Sequence, residues 1–263
     1  MDAVLTDEQR RRFATDGYVV VPGVVGEALL AAADAEIDAL VADASAPPGT
    51  VGPHFHFLPP ARLPAADAAL RESGALALAE ELVAPHRLSL GLDHIQVALN
   101  IPPFPHRPGA PHIDGHRPDQ PISSFTLLAA VFLCDESAPD RGNLWVWPGS
   151  HRGHQQLFRE RGVEVLKPVS GQAILLDPPV WFGPGEPLLA RRGDVLLAHF
   201  LLGHNIGGNT SAQTRRILYY RLTADGHAER WADTFLDPFT EYAPLRAVAP
   251  SEPFVPPPPR PAG

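Results

Sequence analysis

The chain has 263 residues, of which 31 are proline, 22 are glycine and 44% are hydrophobic. This many turn-forming residues excludes a bundle of long helices, because proline breaks helix interiors, whereas the hydrophobic content excludes a disordered chain. A formal charge of −9 without a basic stripe argues against a nucleic-acid-binding protein.

The cellular compartment is indicated by cysteine usage and by the absence of a leader pattern. Cys134 is the one cysteine, so no disulfide can form within the chain, which fits a reducing compartment. The N-terminus shows no apolar segment of the kind found in signal peptides, and the longest apolar runs are too short to span a bilayer. We therefore expect a cytoplasmic protein with no membrane or nucleic-acid partner.

The N-terminal part of the chain is predicted to be largely helical. Residues 6–9, Thr-Asp-Glu-Gln, form a capping box that begins a helix running to about Asp16. Gly17 ends this helix, and the β-branched run after it predicts a strand over Tyr18–Val21. Apolar side chains at helical spacing then predict helices over 26–43 and 66–84, with residues 44–65 as a loop.

From about residue 88 onwards, short β-type runs alternate with proline and glycine turns, which predicts a sandwich or barrel. Between these runs we find no helical pattern of 10–15 residues, so parallel βαβ units are not expected. We predict one mainly β domain over residues 1–249. The last residues, 250–263, are rich in proline and are predicted to form a flexible tail.

The sharpest chemical motif is His112-Ile113-Asp114. Alternate residues of a strand face the same side, so this imidazole and carboxylate converge on one point. His204 follows an apolar run and is the best candidate for a third ligand. Two histidines and one carboxylate form the facial arrangement of non-haem Fe(II) oxygenases. A single His-x-Asp triplet also occurs by chance, so surface residues on a strand are the alternative.

A basic residue follows the third candidate ligand at the start of another β-type run. A guanidinium at this position could pair with the carboxylate of a cosubstrate. The residues themselves leave two competitors, Arg215 and Arg216.

Four segments together resemble the phytanoyl-CoA dioxygenase-like branch of the Fe(II)/2-oxoglutarate oxygenases. They are residues 5–25, the approach to the His-x-Asp motif at 100–115, RGNLWVWPGSHRGH at 141–154, and residues 193–215. The third of these is the most specific. The resemblance covers most of the chain.

The resemblance implies a double-stranded β-helix (a jelly roll, cupin-like) with flanking N-terminal helices. It implies Fe(II) on His112, Asp114 and His204, with 2-oxoglutarate and O₂ as cosubstrates. It assigns the 2-oxoglutarate arginine to Arg215 rather than Arg216. It also places His199 and Asn209 on recurring family positions, where they support the metal strand and its turn.

The chain departs from the family pattern at two positions that touch 2-oxoglutarate in relatives. Ile101 stands where a lysine is frequent, and Ile206 stands where a hydroxyl residue is frequent. We therefore expect Gln96 and Thr126, on strands that flank the metal motif, to provide the secondary cosubstrate contacts.

Other side chains are candidates for a substrate lid, and each has a structural alternative. His54 and His56 alternate with Phe55 and Phe57, either as a lid or as an exposed loop with packed phenylalanines. His116 either binds substrate or is solvated. The remaining candidates, in the loop at residues 178–187, are Trp181 and Phe182. Loops of this kind on a rigid scaffold carry function.

The expected activity is hydroxylation of a small-molecule C–H bond with release of succinate and CO₂, by a monomer or homodimer. Desaturation, cyclisation, epoxidation or epimerisation in a natural-product pathway would use the same cofactors. A non-catalytic jelly-roll binding protein and a zinc hydrolase are rivals from other classes. Asp114 argues against halogenation, since halogenating relatives replace this carboxylate with a small residue.

Overall fold

The structure of the chain, a computed structural model, describes residues 4–114, 124–162, 166–170, 173–176 and 180–258. Its N-terminal part confirms three predicted elements, α1 (Asp7–Asp16), β1 (Tyr18–Val21) and α2 (Glu27–Asp43). Both halves of the predicted capping box are present: the Gln9 amide donates to Thr6 Oγ1 at 3.1 Å, and the Thr6 amide donates to Gln9 Oε1 at 2.8 Å.

The next stretch differs from the prediction in two ways. The expected loop at 44–65 contains a strand, β2 (Gly52–Leu58), which pairs with the strand that follows it. The single helix expected over 66–84 is two helices, α3 (Pro64–Arg71) and α4 (Ala75–Val83). Gly74 separates them with a φ of +93°, a left-handed conformation that a continuous helix cannot contain.

Most of the remaining predicted β-type runs form strands, and two helices lie among and after them. The helices, α5 (Ser150–Arg161) and α6 (His227–Leu236), were not predicted. In α5 the buried positions include glycine, serine and histidine, so the apolar period of a helix is missing from its sequence. The strands are β3 (Leu88–Ile101), β4 (Ile113–Asp114), β5 (Leu127–Phe132), β6 (Leu144–Val146), β7 (Leu166–Ser170), β8 (Ala173–Leu176), β9 (Glu186–Pro187), β10 (Val195–His199), β11 (His204–Ile206) and β12 (Arg215–Ala224).

The strands form two layers. The larger is an antiparallel sheet in the order β1-β10-β5-β12-β3-β2. The smaller consists of β11-β6-β9 and β4-β8-β7. Reciprocal backbone hydrogen bonds of 2.9 Å between His112 and His204 join β4 to β11 and make these two groups one layer. The expected double-stranded β-helix is confirmed, and two metal-ligand candidates lie at the joint of its smaller layer.

Successive side chains of the central strands point to opposite faces of the larger sheet and pack in two separate cores. Every residue of β5 is buried, but Leu127, Ala129 and Val131 pack in the core that includes the N-terminal helices, whereas Leu128, Ala130 and Phe132 pack in the core between the sheets. On β12, Ile217 and Tyr219 belong to the core between the sheets. The odd-numbered residues of β12 therefore face the interior in which a ligand would lie.

The described part of the proline-rich tail contacts the domain. In the described portion up to residue 258, Phe254 packs against Gly149 and Gly153 at α5. With the Gln156 amide oriented to satisfy both atoms, its nitrogen donates to the Phe254 carbonyl at 3.1 Å and its oxygen accepts from the Phe254 amide at 2.6 Å. Trp181 Nε1 donates to the Pro257 carbonyl at 2.9 Å. These contacts fix residues 254–257 against the domain.

Among the described residues, no helix is both long and apolar enough to cross a membrane.

Candidate active site

Three side chains converge where β4 meets β11. One ligand atom from each of His112, Asp114 and His204 lies within 4.8 Å of the others. Asp114 Oδ1 is 3.4 Å from His112 Nε2 and 3.6 Å from His204 Nε2. The strand alternation that predicted convergence of His112 and Asp114 is therefore observed, and the backbone pairing of His112 with His204 brings in the third side chain.

The donor set suits Fe(II). The proton on His204 Nδ1 is directed to the Leu202 carbonyl at 2.9 Å, so the Nε2 lone pair is left for a metal. Two imidazole nitrogens and one carboxylate oxygen, with no thiolate, match the facial arrangement of non-haem iron sites. These residues can hold a divalent iron ion and leave the other side of it open to ligands.

A buried arginine fixes the orientation of the carboxylate. Arg221 Nη2 donates to Asp114 Oδ2 at 2.5 Å, and Arg221 Nη1 donates to Gln96 Oε1 at 2.8 Å. Burial by itself would raise the pKa of Asp114, but the charge of Arg221 and the two histidines hold that pKa well below its usual value. Asp114 therefore presents Oδ1 to the histidines as a charged ligand.

Arg221 was not among the predicted site residues, although the sequence carries a signal for it. Arg215, Tyr219 and Arg221 occupy odd-numbered positions of β12, so strand alternation places all three on one face. All three line the same cavity. Arg221 lies six residues after Arg215, and an even spacing in a strand places both side chains on the same face.

Arg215 is held in the cavity wall by a buried carboxylate that sequence reasoning also missed. Its Nε donates to Glu136 Oε1 at 2.7 Å, and its Nη2 donates to the Tyr219 hydroxyl at 3.1 Å. Burial would lower the pKa of Arg215, but the charge of Glu136 raises it above the ordinary value. Gly142, with φ +85°, lets the chain pass Arg215, because a Cβ there would lie 2.8 Å from that of Arg215.

The neighbouring arginine has a different environment. Arg216 Nη2 pairs with Asp38 at 2.7 Å, and Arg216 also lies 3.6 Å from Asp34, both on α2. Arg216 therefore faces the helices, whereas Arg215 faces the cavity that contains the metal-ligand candidates.

The cavity encloses about 330 Å³ between the two sheets. It contains the three ligand candidates together with Arg215 and Arg221. The apolar part of its lining comes from Pro53, Phe55, Phe57, Ala98, Leu99, Leu128, Leu144 and Ile206. The three metal-ligand candidates, the candidate cosubstrate arginine and apolar walls thus share one cavity.

The two predicted secondary cosubstrate residues lie in different places. Gln96 lines the cavity. The Thr126 hydroxyl donates to Glu241 Oε2 at 2.5 Å and accepts from the Ala224 amide at 2.9 Å. Both of its hydrogen-bonding roles are filled in a buried network with Glu241 and His227, so Thr126 is a structural residue and we withdraw it as a cosubstrate contact.

Of the three lid candidates on β2, Phe57 lines the cavity and the two histidines do not. Phe57 pairs in register with Gln96, and Phe55 pairs with Ala98. Directly opposed residues of an antiparallel pair share one side, so both rings face the cavity. His54 and His56 point to the other side of the sheet, which corrects their assignment to the substrate. The role of Phe57 as a substrate contact stays a prediction.

The aromatic pair at 181–182 also lies away from the cavity. The Phe182 ring is buried against the ring of His154, at a centroid distance of 4.3 Å. The Trp181 indole bonds to the tail. In the described part of the chain neither side chain lines the cavity, so the lid assignment is corrected for both. His116 lies outside the described residues.

His199 and Asn209, the two predicted supporting residues, are buried and make hydrogen bonds to the backbone. His199 Nε2 donates to the Pro238 carbonyl at 2.7 Å, and its Nδ1 accepts from the Leu201 amide at 3.0 Å. The Asn209 amide donates to the carbonyls of Asn100 and Gln213, while its oxygen accepts from Ser211. The His199 bonds lie at the end of β10, shortly before His204, and the Asn209 bonds hold the turn that leads to Arg215.

Comparison with known proteins places the chain in a family. Residues 13–217 match the family model described as "Phytanoyl-CoA dioxygenase (PhyH)". No curated protein sequence matches the chain.

Solved structures share the fold. The epimerase SnoN, solved with Fe³⁺, alpha-ketoglutarate and nogalamycin RO, is 22% identical with a TM-score of 0.58, covering 82% of each chain. HygX from Streptomyces hygroscopicus, with nickel and 2-oxoglutarate, is 23% identical with a TM-score of 0.57, covering 85% of this chain and 89% of its own. The carbocyclase SnoK is 20% identical with a TM-score of 0.51, covering 86% of this chain and 91% of its own.

The family model matches most of the length of this chain. The chain therefore belongs to the phytanoyl-CoA dioxygenase (PhyH) family and is an Fe(II)/2-oxoglutarate-dependent oxygenase.

Proposed function

We propose that this oxygenase hydroxylates a C–H bond of a small molecule, with Fe(II) held by His112, Asp114 and His204 and 2-oxoglutarate held by Arg215. The observation that carries the proposal is the convergence of these four side chains on one cavity. The Arg215 guanidinium offers paired N–H donors for the distal carboxylate of the cosubstrate. Gln96, which lines the same cavity, is proposed as a further polar contact.

Bound Fe(II), with 2-oxoglutarate and O₂, supplies the oxidising chemistry. One oxygen atom enters the substrate as a hydroxyl group, and the other enters succinate as CO₂ leaves. The residues of the chain position the metal ligands and the cosubstrate and keep water away from the reacting C–H bond. Arg221 keeps the Asp114 carboxylate turned towards the histidines, Glu136 and Tyr219 fix the Arg215 guanidinium, and the apolar walls exclude water from the reacting C–H bond.

The test is succinate release that requires both Fe(II) and 2-oxoglutarate. We expect Asp114→Ala to abolish release, whereas Asp38→Ala, which removes an exposed carboxylate on α2, should leave it unchanged. Full succinate formation by Asp114→Ala would refute the ligand assignment. Activity restored by zinc and not by iron would instead indicate the hydrolase alternative.

A second outcome on the same site is epimerisation or ring closure. Two structures with the same fold are named as an epimerase and a carbocyclase. The mass of the product distinguishes the outcomes. Hydroxylation adds one oxygen atom, desaturation or ring closure removes two hydrogen atoms, and epimerisation leaves the mass unchanged.

The cytoplasm is the proposed compartment, because a free thiol on Cys134 fits a reducing environment. A monomer or homodimer remains the expected oligomeric state, and light scattering of the purified protein tests it.

A further inference from the structure

Two phenylalanines at the mouth of the cavity are exposed to solvent. Phe55 is 39% exposed and Phe57 is 45% exposed, and their ring centroids lie 6.2 Å apart. Both belong to β2, which is an edge strand of the larger sheet. Proteins usually protect an edge strand with charged residues, because exposed apolar edges promote aggregation. An exposed aromatic pair on the cavity side of such an edge therefore indicates a surface that a ligand covers.

The charges inside the cavity are already paired. In the part of the chain that the structure describes, the lining includes three formally charged side chains. Asp114 pairs with Arg221, and Arg215 pairs with Glu136 and, under the proposed function, receives the cosubstrate carboxylate. The other polar lining groups away from the metal ligands are the neutral Gln96, Asn100, Asn143 and Tyr219. A charged substrate group would lose its hydration here without gaining an opposite charge.

The size of the cavity limits what can enter it. A volume of about 330 Å³ lies at the low end of the range for small-molecule pockets, and 2-oxoglutarate occupies part of it. Only the reacting end of a substrate therefore fits beside the metal ligands. The rest of the molecule lies at the mouth, against Phe55 and Phe57.

We propose that the substrate is an uncharged molecule with a flat, apolar ring system, which lies against Phe55 and Phe57 and directs one C–H bond towards His112, Asp114 and His204. This inference rests on the proposed function of the same site. It argues against free amino acids, because their charged groups would lie next to the reacting C–H bond inside the cavity. The two rings are inclined at 63° to each other, so a flat ring system can stack on one of them and meet the other edge to face, the two arrangements that aromatic groups prefer.

The test compares ring compounds that differ in charge. 2-Naphthalenemethanol, 2-naphthylmethylamine and 2-naphthoate share one ring system and are neutral, cationic and anionic, while myo-inositol is an uncharged but polar ring. Binding is measured by calorimetry on the full chain loaded with Fe(II) and saturating 2-oxoglutarate under argon, so that Arg215 is occupied and no turnover takes place. We expect 2-naphthalenemethanol to bind at least about tenfold more tightly than the other three probes.

Variants locate the binding surface. Phe57→Ala should weaken 2-naphthalenemethanol binding by about tenfold to a hundredfold, because the naphthalene ring loses its apolar contact with the Phe57 side chain. Trp181→Ala is the matched control, since Trp181 is also an exposed aromatic residue, at 48%, but lies away from the cavity. It should leave binding unchanged.

The inference is overturned if a charged probe binds as tightly as the neutral one, if Phe57→Ala has no effect, or if 2-naphthalenemethanol does not bind. Succinate release that depends on Fe(II) and 2-oxoglutarate, measured on the same preparation, tests the proposed function separately. Succinate release without preference for the neutral probe refutes only the substrate class. Preferential binding without succinate release refutes only the oxidation.

Discussion

Arg221 holds one oxygen of Asp114 while the other faces the metal-ligand histidines. Nη2 of Arg221 lies 2.5 Å from Oδ2 of Asp114, and Oδ1 of Asp114 lies 3.4 Å and 3.6 Å from the Nε2 atoms of His112 and His204. Arg221 thus fixes the orientation of the carboxylate. Side chains that orient a metal ligand contribute to metal affinity almost as directly as the ligand itself.

We predict that Arg221→Met weakens Fe(II) binding by about tenfold to a hundredfold, because the carboxylate loses the bond that fixes Oδ2. Arg221→Lys should recover part of this affinity. A lysine restores the positive charge but cannot donate to Asp114 and Gln96 through two separate nitrogens. Anaerobic Fe(II) titration measures both variants, and circular dichroism confirms that they fold.

Arg216→Met is the control for this prediction. Arg216 is on the same strand but pairs with Asp38 on the helix side. Its replacement should not change Fe(II) affinity. Wild-type affinity in Arg221→Met would show that Asp114 needs no such support.

Arg215→Lys should raise the KM for 2-oxoglutarate by about tenfold to a hundredfold, because an ammonium group cannot make the paired contact of a guanidinium with a carboxylate. Fe(II) affinity should stay close to that of the wild type, since Arg215 is not a ligand. Steady-state succinate release measures the KM. Arg216→Lys serves as the control, and an unchanged KM in Arg215→Lys would remove this residue from the cosubstrate site.

Buried neutral histidines should make the fold sensitive to mild acid. Burial lowers the pKa of His154 and of His199 to about 4, from the 6.5 of an exposed histidine. Because the unfolded chain binds these protons at higher pH than the folded chain, stability is complete above pH 6.5 and falls as the pH drops towards 4. We expect the free energy of unfolding to fall by about 2–3 kcal/mol between pH 6 and pH 5 from these two groups.

Urea denaturation at several pH values measures this loss. His199→Gln should reduce the slope by about 1 kcal/mol per pH unit, because one titrating group is removed. A slope in His199→Gln equal to that of the wild type would mean that His199 does not titrate in this window.

The tail should stabilise the domain through one aromatic residue. Phe254 fills the space left by Gly149 and Gly153, where an added Cβ would lie 2.6 Å and 2.9 Å from its ring. Phe254→Ala should lower the free energy of unfolding by about 2 kcal/mol, which is less than for a fully buried phenylalanine. Val255→Ala, at a residue 80% exposed, is the matched control. Equal midpoints of urea unfolding for the two variants would contradict a packed tail.

The strands and the metal motif were predictable because they depend on local alternation. The β-type runs predicted from about residue 88 onwards begin with β3 (Leu88–Ile101), and His112 and Asp114 share a face because a strand repeats every two residues. His204 was predicted as the third ligand because it follows an apolar run and because the family resemblance implies it. The pairing with His112 that brings it to the metal site joins residues 92 positions apart, so no local pattern contains it.

Alternation within a strand defines two faces but does not say which of them points inwards. For residues 54–57 that choice was made by the register between β2 and β3, which turned the phenylalanines to the cavity and the histidines away from it. Thr126 was placed on the correct strand region but entered a network with Glu241, whose position depends on the C-terminal segment.

The sequence by itself determined which residues could form strands, that His112 and Asp114 could share one face as metal ligands, and that no disulfide supports the fold. The tertiary structure decided that Arg221 orients Asp114, that Glu136 holds Arg215, and that Phe55 and Phe57 form the mouth of the site. The physical reason is that propensity and period act over a few neighbouring residues. Contacts between β12, β4 and β2 depend on how the strands pair and how the two sheets pack. Strand register is specified because both faces of the larger sheet must be buried at once.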